Sequence, residues 1–295
     1  MASTPGVPLY DTDRYPQSLK AYLDHCEKDQ CTSDFISRTL PDILANPCLF
    51  PFGYSVMIAC LGNIDREILA QLHLKHPGVL VDNEVVEPSS QQLQKYRELV
   101  SQEPNLDFVN FTWNEMTTTE FEEHWRQKNI TKKADFIHMV QVLYYVEDAE
   151  ATISFFHSLL NKNGKLLIII GAENGWMGLP IFIISKTFQH QLDAKWHPSK
   201  TVSPAVIKSL LNARGIPFKT YKLQSRVNVT PCFTEGDGTG ELLLDFLTHV
   251  QGFSEMASPE LRQEVLTVLR GCSVVQNGRV MANDYINAIV INSLD

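Results

Sequence analysis

Apolar residues recur along the chain in two alternating patterns. Residues 55–61 form a nearly continuous apolar run, which is typical of a strand buried within a parallel sheet. The next segment places Ile64, Ile68 and Leu72 on one helical face. This strand–helix rhythm predicts a doubly wound α/β sheet, in which ligands bind at the carboxyl ends of the strands. The same patterns predict strands at 78–87, 106–113, 134–145 and 165–171 and helices at 89–100 and 151–160.

Helices predominate after Gly171. One of them is marked most clearly by its ends: Ser203 suits the N-cap, Pro204 the first helical position and Gly215 the residue past the last turn. The other elements predicted in this part of the chain are helices at 175–192, 240–250 and 258–269 and strands at 218–225 and 285–291.

These patterns divide the chain into three segments. Residues 1–50 form a helical region, residues 51–172 an α/β core, and residues 173–295 further helices with C-terminal strands that return to the sheet. A chain of 295 residues is long for one simple domain and short for two, so we expect one elaborated domain.

Charge and composition narrow the class of function. Hydrophobic residues make up 44% of the chain and charged residues 20%, which is typical of a globular protein. The formal net charge is −9, which disfavours binding to nucleic acid or to an anionic membrane surface. A small or cationic ligand suits the charge better.

The spacing of the cysteines and the absence of long apolar segments indicate the cellular compartment. The six cysteines are scattered without a CxxC pair, which is typical of free thiols in a reducing environment. The N-terminus lacks the apolar run of a signal peptide, and no segment reaches the ~18 apolar residues of a membrane span. We therefore expect a cytoplasmic protein.

The turn between the first strand and its helix carries one glycine, Gly62. Such turns hold nucleotide-like cofactors, but usually with two or three glycines. Glu87 lies 25 residues later at the tip of the second strand, where Pro88 ends the strand. A carboxylate there can accept hydrogen bonds from a ribose. An exposed loop carboxylate would give the same spacing.

Two further groups of side chains follow strand ends. Gln92 lies three residues after Ser89, which predicts a capping box (S-x-x-Q) at a helix start that faces the same crevice. Gln141, Tyr144 and Tyr145 follow the fourth strand, where paired tyrosines beside an amide suit a flat aromatic or cationic ligand. Aromatic residues of the core would show the same pattern.

Missing motifs exclude several classes of enzyme. The chain has no Gly-Lys-Ser/Thr phosphate loop, no G-x-S-x-G elbow and no His, Cys or Asp cluster with metal-ligand spacing. An NAD-dependent oxidoreductase would need the glycine fingerprint that this chain lacks. S-adenosylmethionine fits the remaining pattern, because it has a ribose but no pyrophosphate and so needs fewer glycine amides.

Four longer segments carry a specific resemblance: NEVVEPS (83–89), DFIHMVQVLYYVED (135–148), FFHSLL (155–160) and GDGTGELLLDFL (236–247). They resemble the histamine N-methyltransferase family, and the similarity runs from about Tyr15 to Ile291. The resemblance implies a Rossmann-like class I methyltransferase fold with an added, mostly helical substrate-binding region, and an N-terminal region that covers the substrate site. It also implies a small monomeric enzyme that methylates the imidazole nitrogen remote from the side chain.

The resemblance also implies site residues, matched position by position. Those of the cofactor site are Gly62, Glu87, Gln92, Thr118 and Val140. Those of the substrate site are Glu27, Gln141, Tyr144, Tyr145, Trp176 and Asp284.

Three positions depart from the family pattern. The family's run of glycines after the first strand is reduced here to Gly62, which leads directly into Asn63. Lys28 stands where the family has a glutamate, with Glu27 beside it, and Asp284 stands where the family has an asparagine. These last two positions line the amine or imidazole end of the ligand in the family, so their exchange of charges can move the cation site or change the substrate.

No general base is predicted for the reaction. The imidazole ring has a pKa near ~6.5, so its neutral form is already a nucleophile at neutral pH. Alignment of the reactants can then contribute roughly 7–11 kcal/mol. We expect Tyr144, Tyr145 and Trp176 to flank the ring and Gln141 to hydrogen-bond it. We expect Asp284 to neutralise the alkylammonium group.

Two other functions stay open at this point. One is a methyltransferase for another imidazole compound, such as carnosine. The other is a non-catalytic paralogue, which the shortened turn after the first strand favours.

Overall fold

Ten strands and eleven helices make up the described part of the chain. The computed structural model describes residues 9, 12–45, 54–58, 63–172 and 202–294. The strands are β1 (Tyr54–Ile58), β2 (Val81–Val86), β3 (Val109–Asn114), β4 (Ala134–Val140), β5 (Leu160–Gly171), β6 (Phe218–Leu223), β7 (Arg226–Asn228), β8 (Ser273–Gln276), β9 (Arg279–Asn283) and β10 (Ile286–Asn292).

The helices range from one turn to about three and a half. Within the described ranges, none is long and apolar enough to cross a bilayer. They are α1 (Tyr15–His25), α2 (Lys28–Arg38), α3 (Leu40–Ile43), α4 (Asn63–Lys75), α5 (Ser90–Ser101), α6 (Thr118–Gln127), α7 (Ala149–Ser158), α8 (Pro204–Ala213), α9 (Gly238–Thr248), α10 (Phe253–Met256) and α11 (Pro259–Gly271).

The larger sheet has seven strands in the order β3-β2-β1-β4-β5-β10-β6. Strand β1 pairs in parallel with both β2 and β4, β2 with β3, and β4 with β5. The chain therefore runs outward from β1 to β3 and then returns to the other side of β1 at β4. This reversal confirms the predicted doubly wound sheet, and it puts the crevice for a ligand at the carboxyl ends of β1 and β4.

Strand β4 lies at the centre of the largest core. All of its seven residues are buried, because β1 and β5 pair with its edges and helices cover the sheet. The core around it includes Phe121 and Trp125 of α6, Phe156 of α7 and Ile289 of β10. Strand β10 thus returns to the sheet, as the apolar run at 285–291 predicts.

Helix starts are set mainly by side chains that cap them. The hydroxyl of Ser203 accepts from the Val206 N–H (3.4 Å) at the start of α8, as predicted. Helix α6 is missing from the sequence prediction. Its signal is a complete capping box. The Thr117 hydroxyl accepts from the Glu120 N–H (3.2 Å), and the Glu120 carboxylate accepts from the Thr117 N–H (2.7 Å).

Two strand boundaries differ from those predicted. Strand β4 ends at Val140, because the next residue, Gln141, takes a left-handed backbone conformation (φ 56°). Strand β5 begins at Leu160 instead of Lys165. Its register against β4 shifts between these two residues, so the polar residues between them form a bulge within the strand.

The chain divides into two compact units. The unit that carries the seven-stranded sheet, here called the sheet unit, comprises Thr32–Ile170, Val202–Lys222 and Asn287–Asp295. The other, the accessory unit, comprises Met1–Cys31, Gly171–Thr201 and Leu223–Ile286. The division into segments 1–50, 51–172 and 173–295 stays a prediction.

The accessory unit has its own core. Helix α9 is its centre, where Leu243, Leu244 and Leu247 are buried against the aromatic ring of Tyr22 and its neighbours. Tyr22 of α1 stacks on Phe246 with ring centroids 4.3 Å apart. A three-stranded sheet in the order β7-β9-β8 joins the same core. The sequence analysis predicts none of these three short strands.

Two glycines in the first turn of α9 differ in their surroundings and give a stability prediction. A Cβ atom at Gly240 would collide with the backbone carbonyl of Pro231, whereas one at Gly238 would meet nothing within 4 Å. Gly240→Ala should lower the free energy of unfolding by about 1–3 kcal/mol through overpacking. Gly238→Ala should be neutral or slightly stabilising. Urea denaturation of both variants checks this, and equal effects would contradict it.

Candidate active site

Glu87 directly follows β2 at the carboxyl edge of the sheet. Its backbone N–H donates to the carbonyl of Asn114 (3.1 Å), which continues the pairing of β2 with β3 by one residue. Its side chain is half-buried, and its Oε1 accepts from the Ser89 N–H (2.8 Å). The carboxylate is thus held at the end of the strand, where its remaining lone pairs can accept from a ligand.

The protonation of Glu87 is shifted by its surroundings. Burial raises the pKa of the Glu87 carboxyl above its ordinary value of 4.5, and the hydrogen bond from the Ser89 N–H partly opposes this rise. One backbone donor does not replace the water that the carboxylate loses. Two ligand hydroxyl groups would supply the missing donors.

The helix start beside Glu87 departs from the predicted capping box. The Ser89 hydroxyl does accept from the Gln92 N–H (3.3 Å), so Ser89 is the N-cap of α5. The second half of the box is wrong, because the Ser89 N–H donates to Glu87 instead of to the Gln92 side chain. The Gln92 side chain is exposed at the start of the helix, on the element that follows Glu87.

Thr118 is the first residue of α6 and is half-buried. It follows β3 by four residues and directly follows the cap residue Thr117. The carboxylate of Glu120 accepts from both the N–H and the hydroxyl of Thr117, and these hydrogen bonds lower the pKa of Glu120. Thr118 is therefore fixed at a third strand-to-helix connection of the sheet unit.

Val140 and Gln141 stand at the carboxyl end of β4. Val140 is buried, and the Gln141 N–H still pairs with the Ile169 carbonyl of β5 (2.8 Å). The positive φ of Gln141 is unusual for a residue other than glycine or asparagine, and such conformations cluster at functional sites. The Gln141 Nε2 atom is buried without a hydrogen-bond partner among the described residues. A buried donor of this kind calls for a ligand acceptor.

The two tyrosines after Gln141 have different environments. The Tyr144 hydroxyl donates to Gln141 Oε1 (3.3 Å), and its half-buried ring packs against the core of the sheet unit. Tyr145 is 68% exposed, and its ring lies edge-on to that of Tyr144. Tyr144 thus orients the Gln141 amide, whereas Tyr145 presents its ring to solvent.

The other predicted substrate residues belong to the accessory unit. Asp284 is fully buried and accepts from the Tyr22 hydroxyl (2.6 Å), while Lys28 Nζ lies 3.2 Å from its other oxygen. The Lys28 ammonium also lies 5.0 Å from the centre of the Tyr22 ring. The charge of Asp284 is therefore already balanced within the protein. Glu27, next to Lys28, is exposed.

The sequence-predicted residues thus fall into three groups. The residues at or after strand ends of the sheet unit are Glu87, Gln92, Thr118, Val140, Gln141, Tyr144 and Tyr145. Glu27 and Asp284 belong to the accessory unit, and Gly62 and Trp176 lie outside the described residues. Sequence reasoning missed Tyr22, which no motif marks. Across the described ranges, no group of three or more His, Cys, Asp and Glu side chains could hold a metal ion.

Comparison with known proteins decides the family. A Danio rerio protein named histamine N-methyltransferase is 50% identical to the chain over 286 residues, which cover 95% of this chain and 96% of that protein. The chain belongs to the histamine N-methyltransferase family. The membership confirms the resemblance of the four segments, and it makes the chain a methyltransferase that uses S-adenosylmethionine.

Three further comparisons agree with this assignment. Residues 66–197 match a family model described as a methyltransferase domain. A Gallus gallus protein named carnosine N-methyltransferase 2 is 36% identical, over 98% of this chain and 89% of its own length. The crystal structure of a protein from Bacillus halodurans, assigned as a methyltransferase, is 12% identical. It covers 87% of this chain and 99% of its own, with a TM-score of 0.51. That likeness concerns the fold alone, which is the class I methyltransferase fold.

Features of the sheet unit suit S-adenosylmethionine, whose sulfonium supplies an electrophilic methyl group when it is bound. Glu87 offers a half-buried carboxylate to a pair of ribose hydroxyl groups. The buried Gln141 donor lies at the end of β4, which only β1 separates from β2 in the sheet. Both stand at the strand edge where class I sheets bind their ligands.

A substitution of Glu87 tests its role in cofactor binding. Glu87→Gln should weaken the binding of S-adenosylhomocysteine, the reaction product, by roughly 10- to 100-fold, because hydrogen bonds to a charged group contribute about 1.5–3 kcal/mol. Because burial raises its pKa, the carboxylate is costly when ionised, so the variant should be no less stable at pH 7. Affinity of the unsubstituted protein should be full above the raised pKa and fall as the pH drops through it.

The matched control is Glu84→Gln on the same strand. Glu84 is half-buried and accepts from Asn114 Nδ2 (2.9 Å), but it lies before the strand end. Its substitution should change the dissociation constant less than twofold. Calorimetry and thermal denaturation of both variants measure these effects. Equal losses of affinity in the two variants would contradict the role of Glu87.

Proposed function

We propose that the chain transfers a methyl group from S-adenosylmethionine to the imidazole ring of histamine, at the nitrogen remote from the side chain, and so inactivates it. The observation that carries this proposal is the similarity to the Danio rerio histamine N-methyltransferase over 95% of the chain. The side chains that follow β2 and β4 support it, because they offer a ribose acceptor and an orientable amide.

The proposed catalysis rests on alignment. The attacking ring nitrogen of neutral imidazole needs no base before it attacks, since the pKa of the free ring is near ~6.5. We propose that Gln141 Oε1, which accepts from the Tyr144 hydroxyl, also accepts from the N–H of the second ring nitrogen, so that the lone pair of the attacking nitrogen stays available. That Tyr144, Tyr145 and Trp176 flank the ring stays a prediction. The proton of the methylated ring then leaves to water.

The contacts of Asp284 argue against the expectation that it binds the substrate ammonium directly. Asp284 is fully buried, and Lys28 already supplies a cation 3.2 Å from its carboxylate. We propose that Asp284 acts on the substrate through Lys28 and Tyr22, which it holds in place. We propose that Glu27, which is exposed and precedes Lys28, is then the carboxylate that accepts the ammonium of histamine.

Lys28, which stands where the family has a glutamate, favours a second candidate substrate. Carnosine carries a carboxylate beside its imidazole, and the Lys28 ammonium is a suitable partner for a carboxylate. The Gallus gallus relative named carnosine N-methyltransferase 2 supports this candidate. Both substrates present an imidazole ring, and carnosine adds a carboxylate and an amide that histamine lacks.

We also propose that the protein is a cytoplasmic monomer. The described cysteines Cys26, Cys232 and Cys272 are free thiols, which suits a reducing compartment. Light scattering of the purified chain should give a mass near 33.4 kDa, and a mass twice that value would contradict the monomer.

Labelled methyl transfer to histamine and to carnosine tests the proposed substrate. Histamine should be methylated with the higher kcat/KM. Lys28→Gln should raise the ratio of kcat/KM for histamine over carnosine by roughly three- to tenfold, because loss of a charged partner for the carnosine carboxylate costs on the order of 1 kcal/mol.

Lys20→Gln is the control for the Lys28 variant. Lys20 pairs with Asp24 (2.6 Å) on the exposed side of α1 in the same unit, so its substitution should leave the ratio unchanged. A higher kcat/KM for carnosine would move the assignment to the second candidate. Binding of S-adenosylhomocysteine with no methyl transfer to either compound would indicate a non-catalytic paralogue.

A further inference from the structure

A buried carboxylate lies beneath the proposed cofactor site, and the proposed reaction does not use it. Asp65 of α4 is fully buried, and its Oδ2 accepts from the hydroxyl of Tyr96 and from Nδ2 of Asn83 (3.2 Å). The Nε2 atom of His138 lies 3.0 Å from its Oδ1, close enough for an ion pair but out of line for a hydrogen bond. None of the four side chains is more than 4% exposed.

The position of Asp65 makes its burial tolerable. It is the third residue of α4, where the unpaired N–H groups of the first helical turn favour a negative charge. Tyr96 and Asn83 supply neutral donors in addition. An isolated buried carboxylate would cost several kcal/mol, so these donors are what allow it to remain there.

The three partners of Asp65 belong to the elements that carry the proposed cofactor residues. Asn83 lies on β2, four residues before Glu87, and His138 lies on β4, two residues before Val140. Tyr96 lies on α5, whose N-cap Ser89 donates to Glu87. Helix α4 itself begins one residue after Gly62. The Asp65 carboxylate thus connects α4 to β2, to β4 and to α5, which carry or adjoin the proposed cofactor residues.

Stability alone does not account for this arrangement. Well-packed apolar side chains in place of a buried polar network are often as stable or more stable, whereas a polar network specifies one geometry. The geometry that this network specifies is the position of the start of α4 relative to the strands that lead to Glu87 and Val140.

We propose that Asp65 is a positioning residue for S-adenosylmethionine. By holding the start of α4 against β2, β4 and α5, it fixes where Glu87 and Val140 stand relative to the start of α4. The inference rests on the cofactor assignment and not on the identity of the methyl acceptor. Loss of Asp65 should therefore weaken cofactor binding and leave the affinity for the amine substrate unchanged.

The experiment compares Asp65→Asn with Asp135→Asn. Asp135 is also buried and accepts from Asn161 Nδ2 (3.0 Å), but it lies at the amino end of β4, away from the strand ends that bind ligands. Calorimetry with S-adenosylhomocysteine is run at a temperature where both variants are folded. Asp65→Asn should raise the dissociation constant at least threefold relative to Asp135→Asn. It should also raise KM for S-adenosylmethionine without raising KM for histamine.

Each outcome decides the inference. A change below threefold relative to Asp135→Asn would overturn it, as would an equal rise of both Michaelis constants. If Asp65→Asn does not fold, Tyr96→Phe replaces it, because this variant removes a single donor to the same carboxylate. The same threefold change in the dissociation constant then decides the inference. Failure of the substrate proposal looks different, because the unsubstituted protein would then bind S-adenosylhomocysteine but leave histamine unmethylated. Absence of binding by the unsubstituted protein would overturn both.

Discussion

Burial of β4 along its whole length is the constraint on which the rest of the structure depends. A strand covered on both faces cannot present a functional side chain until it ends, so polar contacts with a ligand must come from the residues that follow it. Gln141 follows β4, and Glu87 follows β2 in the same way. The apolar interior and the location of the site are therefore two consequences of one sheet topology.

Three carboxylates illustrate how the protein separates structural from ligand-binding charges. Asp65 and Asp284 are fully buried, and each accepts hydrogen bonds from side chains of its own unit. Glu87 is half-buried with one backbone donor, and its pKa is raised. A carboxylate that is accessible and has incomplete donors is the one suited to a ligand, because binding supplies what the fold leaves out. Lys28 and Asp284 reach balance by pairing with each other.

The sequence predicts those parts of the fold that depend on local patterns. Apolar runs and helical spacing locate the sheet strands, and capping residues such as Ser203 locate helix starts. Helix α6 is missed because only two of its residues, Phe121 and Trp125, are buried, and the short strands β7 to β9 are missed because they carry too few residues for a period. In the site, Pro88 locates Glu87, but no spacing reveals the contact of Tyr22 with Asp284, 262 residues away. The positions of Gly62, Gln92, Gln141, Tyr144 and Tyr145 after predicted strands also single them out. The remaining site residues come only from the family resemblance: Thr118, Val140, Glu27, Trp176 and Asp284.

The accessory unit is built from segments that lie far apart in the chain, and this has a consequence for its biosynthesis. Its core joins α1, near the beginning of the chain, to α9 and β9, which the ribosome produces more than two hundred residues later. The buried face of α1, with Tyr22, must therefore wait as nascent chain while the strands of the sheet unit emerge in sequence. Until α9 and β9 have been synthesised, the apolar side of this helix lacks its permanent partners and is a target for chaperones.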